Sequence, residues 1–98
     1  MTKLLEYERY AEIYKVLANA KRLLILHVLD GKEFSVDELT NKLKIRKPNI
    51  SQHLAVLRHA NLVVMRKHGT KVYYKITNHS VLKSCEIIQT LSKKHKHF

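Results

Sequence analysis

The period of the apolar residues changes after Ala60 from helical to alternating, and that change does most to limit what this chain can fold into. Up to Ala60 apolar residues recur at helical spacing, and from Val63 they alternate. Just before the change lie two short helical stretches. Ser35-Val36-Asp37-Glu38 fits a Ser-to-Glu capping box, with Leu39 and Leu43 as the inner face of the helix it starts. After the break Lys44-Ile45-Arg46-Lys47 comes Pro48, placed for a first helical turn. A helix of about 48–60 follows, its inward face being Ile50, Leu54 and Leu57, with Val56 also read as core. The alternating part, Val63 to Lys67 and Lys71 to Ile76, surrounds a turn at His68-Gly69-Thr70 and predicts a hairpin.

Around this centre the chain reads as helical. Leu4, Tyr7, Tyr10 (or Ala11), Tyr14 and Leu17 make one stripe on a helix of about 3–17. Three tyrosines there exceed what a small monomer needs, so the stripe is expected to face another chain. Asn19 can cap a second helix with Leu23, Leu24 and Leu26 (or His27), ending at Asp30-Gly31. A last helix of about 78–93 places Val81, Leu82, Cys85, Ile88 and Leu91 (or Ser92) on one face. Two helices joined by about four residues, then a hairpin, are the proportions of a winged helix-turn-helix. The expected fold is mainly α with a β-hairpin wing, in the order α-α-α-α-β-β-α, as a single domain over 1–98.

Charge gives this fold a face. The chain carries 19 Lys plus Arg against 8 Asp plus Glu, a formal net charge of +11. Residues 1–43 are neutral, so the whole surplus falls in 44–98 with six of the seven histidines. A solubility device would be spread over the surface; this asymmetry points to a polyanion bound on one side, double-stranded DNA first. In such units the second helix enters the major groove by its N-terminal end and the wing lies on the neighbouring backbone. Lys47, Asn49, Ser51, Gln52 and His53 stand at that end, after Arg46 in the turn. Asn and Gln pair bidentately with adenine, and Lys donates to guanine. Arg66, Lys67, His68 and Lys71 cluster at the Gly69 turn as phosphate contacts.

Val16 to Leu26 resembles the "LADPTRLRIL" opening of the ArsR/SmtB family of winged-helix repressors. Phe34 to Leu39 is similar to its "LSVGEL", Asn49 to Val63 to its "TVSHHLKVLREAGLV", and Lys71 to Ile76 to its "RVYYRL". The pieces occur in the family's order. Ala20 stands where the family often has Pro, Pro48 where it commonly has Ser, and Asn61 where Gly is usual; Asn tolerates a left-handed turn. The resemblance implies a homodimer built on the first and last helices, through Tyr7, Tyr10, Tyr14, Val81, Cys85 and Ile88. It also implies a palindromic operator with half-sites about 10 to 11 base pairs apart.

Family members that sense metals do so through sites this chain fills differently. Ser35 and Asp37 stand at the positions of a cysteine pair, and Asn78, Ser80, Leu91 and Lys94 at those of the last-helix site. Neither metal site is expected, and no cofactor is implied. A thiol switch needs two cysteines per chain, and Cys85 is alone, read as a buried thiol. A Cys85–Cys85 bridge across a dimer, a metal on His79, His95 and His97, and a pH response through the histidines are the other options. The effector stays open.

The alternative from another class is a non-specific architectural DNA-binding protein, motivated by the lysines and the basic tail. A protein-interaction module fits the uneven charge poorly. No paired-carboxylate cleft, Gly-rich phosphate loop or nucleophile arrangement points to an enzyme. No segment approaches the ~20 apolar residues that span a bilayer, and no leader is read at the N-terminus, so a cytoplasmic protein is expected.

Overall fold

Five helices and three short strands make up residues 2–94, which are the residues described in the computed structural model. They run α1 (Thr2–Leu17), α2 (Ala20–Val28), β1 (Phe34–Ser35), α3 (Val36–Leu43), α4 (Lys47–His59), β2 (Val63–His68), β3 (Lys71–Ile76) and α5 (Val81–Lys94). The expected order holds, with one addition. The two-residue strand β1 pairs antiparallel with β3, through Phe34 with Tyr74 and Ser35 with Tyr73, so the wing is a three-stranded sheet in the order β1-β3-β2.

Local chemistry sets the boundaries. Asn19 Oδ1 accepts from the Arg22 amide at 3.1 Å, capping α2. Ser35 closes a full capping box: its Oγ accepts from the Glu38 amide at 3.1 Å, and its own amide donates to Glu38 Oε1 at 2.9 Å. Lys44, with φ 58°, ends α3 in the left-handed region. Asn61 takes φ 61° and turns the chain from α4 into the wing. That turn is tied down three times: Leu62 donates to Leu57 O, Thr77 N to Leu62 O, and Thr77 Oγ1 to Asn61 O at 2.6 Å. His68 pairs with Lys71, leaving a two-residue loop in which Gly69 holds φ 67°, a conformation other residues reach only with strain.

Three boundaries differ from expectation. α2 stops at Val28, with Leu29 as its cap and Gly31 in the left-handed region two residues further on. α4 begins at Lys47, one residue before Pro48. α5 begins at Val81 and not at 78, because Asn78 Oδ1 accepts from the Ser80 amide and holds that stretch in a turn.

One apolar cluster holds the helix-turn-helix to the wing. Ile25, Leu26 and Leu29 meet Leu39, then Ile50, Leu54 and Leu57 of α4, with Val63, Ile76 and Leu82 closing the edge. Ile50, Leu54 and Leu57 have no exposed surface. Each such side chain contributes about 1.5–3 kcal/mol by leaving water. α4 is therefore fixed in rotation as well as position. Val56, expected in the core, is instead exposed, and so is Leu24, because Ile25 and Leu26 take the inward face of α2.

Candidate nucleic-acid interface

Burying Ile50, Leu54 and Leu57 on one side of α4 turns the side chains between them outward. Ser51 and Gln52 are exposed, and Asn49 is half-buried at the first turn. Arg46 and Lys47, also exposed, precede them. The polar start of α4 thus gathers the donors and acceptors that base edges need, on a helix with little freedom to shift. His53 sits one turn further along, half-buried. Burial, and then the charges of Arg22 and Lys21 on α2, push its imidazole below the ordinary 6.5. Lys21 and Arg22, close enough to α4 to act on His53, are neighbours that sequence reasoning missed.

Two expected DNA contacts are already engaged within the chain. Lys47 Nζ lies 2.8 Å from Asp37 Oδ1, joining the first turns of α4 and α3. The bond from Lys47 holds the Asp37 carboxyl below its usual range. Arg66 makes a bidentate pair with Glu33, Nε to Oε1 at 2.9 Å and Nη2 to Oε2 at 2.7 Å. It is registered opposite Tyr73 of β3, whose other neighbour is β1, so the guanidinium straps the sheet to the segment before β1. Arg66, expected as a phosphate contact, thus has its fork occupied by a carboxylate in the chain alone. Lys67, His68 and Lys71 remain exposed around the Gly69 turn. Local spacing gives no sign of Glu33, which lies 33 residues from its partner.

The positions that resemble ligand sites have other work here. Ser35 caps α3, Asp37 holds Lys47, and Asn78 holds the turn before α5. Among the described residues no three His, Cys, Asp or Glu side chains come together as a metal site. His95 and His97 lie outside the described residues.

The terminal helices leave apolar surface open. Tyr7, Tyr10, Tyr14, Ile87, Ile88 and Leu91 are all exposed, and Tyr7 and Tyr10 meet edge to face at 5.4 Å. A groove of about 880 Å³ runs between α1, α2 and α5, past Tyr14, Leu17, Leu23, His27, Cys85 and Ile88. Cys85 is free and half-buried on its wall. Val81, expected at an interface between chains, is partly buried against its own core.

A capped helix, a tight turn, a second helix with an outward polar start and a strapped hairpin define a winged helix-turn-helix. Residues 19–64 match the family described as "Bacterial regulatory protein, arsR family". The chain is 41% identical over 70 residues to the HTH-type transcriptional regulator KmtR of Mycobacterium tuberculosis, covering 71% of this chain and 54% of KmtR. With the Biofilm growth-associated repressor of Agrobacterium fabrum it shares 36% identity over 81 residues, 83% of this chain and 69% of that protein. The solution structure of a homodimeric winged helix-turn-helix DNA-binding domain from Mycobacterium bovis superposes with a TM-score of 0.80 at 29% identity, over 95% of this chain and 86% of that one. The chain belongs to the ArsR family of transcriptional regulators. It spans about half the length of KmtR. No described helix is long and apolar enough to cross a membrane.

Proposed function

We propose that this chain is a homodimeric, sequence-specific regulator of transcription, a repressor that binds a palindromic operator in double-stranded DNA. The observation that carries the proposal is the start of α4, where Ser51 and Gln52 are exposed directly beside a fully buried Ile50. Asn49, Ser51 and Gln52 read base edges. Arg46, Lys47 and His53 flank them, and Lys67, His68 and Lys71 of the wing hold the backbone. Residues 1–98 act as one DNA-binding domain. α1 and the exposed face of α5 pair two copies through Tyr7, Tyr10, Tyr14, Cys85 and Ile88, which sets the half-sites about 10 to 11 base pairs apart. The likeness to a homodimeric domain and to a named repressor supports this assignment. It puts the protein in the cytoplasm and gives it no catalytic role. No Cys-pair or last-helix metal site enters as its trigger.

Binding to a palindromic promoter fragment and to a scrambled duplex, compared at physiological salt, tests this. The palindrome is expected to bind tighter, and Asn49→Ala or Gln52→Ala to narrow the gap by about 1–3 kcal/mol for each bidentate base pairing removed. Equal affinity for both duplexes, with a steep salt dependence, would mean an architectural protein instead.

A further inference from the structure

Among the described residues, Lys and Arg side chains of the basic half reach the neutral half through two ion pairs that differ in kind, beside a His79 Nδ1–Asp30 Oδ1 contact at 3.3 Å. Arg66 and Glu33 form a two-bond fork in which the Glu33 side chain is only 31% exposed. It fastens the base of the wing. Lys47 and Asp37 share one contact, and their side chains are 61% and 74% exposed. That pair fastens little, since both helices are already fixed by Leu39 and Ile50 in the core. Yet it occupies the first cation of the recognition helix.

We propose that Asp37 is a positioning residue for DNA binding: it holds Lys47 across the turn and withholds one phosphate contact from any duplex. The proposal rests on the assignment of the α4 start to the DNA face. An exposed pair of this type contributes little, so a phosphate can take the lysine from it. The exchange has a cost, because the Lys47–Asp37 contact must break before the lysine meets phosphate. A lysine already neutralised by a carboxylate also displaces fewer condensed counterions when it meets phosphate. Asp37 therefore lowers sequence-independent affinity and flattens the salt dependence of binding. The depressed carboxyl of Asp37 keeps this restraint in place throughout the neutral range.

The test uses the full chain and a mixed-sequence duplex of about 30 base pairs, titrated at several salt concentrations. Asp37→Asn is expected to bind about 2- to 5-fold tighter at low salt, the worth of one exposed pair. The slope of log affinity against log salt should steepen by about one. Lys47→Met should weaken binding, and adding Asp37→Asn to it should restore nothing. A gain that persists without Lys47 would overturn the proposal, since Asp37 would then act by plain repulsion and not through the lysine. Unchanged affinity and slope in Asp37→Asn, with wild-type binding intact, would overturn it while leaving the DNA-binding assignment standing. Wild-type chain that binds no duplex at any salt would remove that assignment as well. Circular dichroism of each variant separates these results from a loss of α3, where Asp37 also favours the helix N-terminus.

Discussion

From α2 to β3 most large apolar side chains turn inward, with only Leu24, Val56, Val64 and Met65 exposed: Ile25, Leu39, Leu54 and Leu57 are sealed from water. α1 and α5 treat the same residue types differently. Of thirteen exposed large hydrophobics among the described residues, nine lie on these two helices. The central unit satisfies itself, whereas the ends bury Leu17 or Leu82 inward and leave Tyr14, Ile88 and Leu91 uncovered. A small domain gains little by exposing that much apolar area unless a second surface covers it. Under the proposed function this is a division of labour, in which the middle builds the reading surface and the ends pair two copies.

Substitutions can break that division. Leu54→Ala should destabilise the folded chain most, by about 2–5 kcal/mol, as a cavity opens where no surface was exposed. Urea unfolding measures it; a loss below about 1 kcal/mol would show a centre able to collapse around the gap. Ile88→Ala should leave the fold of the single chain nearly intact and weaken association by about 1.5–3 kcal/mol per protomer. Sedimentation equilibrium reads this, and an unchanged association constant would remove α5 from the interface. The smallest effect belongs to His53, the titratable group on the inner part of α4. Its imidazole is held below 6.5 in the folded chain, so the unfolded chain takes up the proton first as pH falls through that value. Folded stability should therefore decline there more in wild type than in His53→Gln. The Asp37 and Glu33 carboxyls, depressed by Lys47 and Arg66, lose their contribution only below their ordinary 3.8 and 4.5, so the two pH windows stay separate.

What the sequence made legible follows the range of the interactions involved. The Ser35–Glu38 box, Pro48 in the first turn of α4, the Gly69 turn and the left-handed Asn61 are local events that neighbouring residues dictate, and each is present. The strand β1 escaped notice because two residues carry no period. Leu24 was misplaced because Leu23 to Leu26 is apolar throughout, and a continuous run cannot say which member faces in. Val56 failed for a related reason, since the core beneath α4 is already filled by Leu54 and Leu57. Of the candidate site, the position of Asn49, Ser51 and Gln52 follows from the helix period alone. The engagement of Lys47 by Asp37 and of Arg66 by Glu33 does not, because tertiary folding brings those partners together.

The elbow between α1 and α2 is small and stiff. Arg22 Nε donates to Val16 O at 2.6 Å, while Asn19 caps the second helix and its own amide donates back to Leu17 O. Such a joint behaves as a welded corner of a frame. Were two chains joined along α1, thermal motion could not swing one reading helix independently of the other. Operator spacing would then be imposed by protein geometry and not negotiated with the DNA, and one inserted base pair would rotate a half-site out of reach.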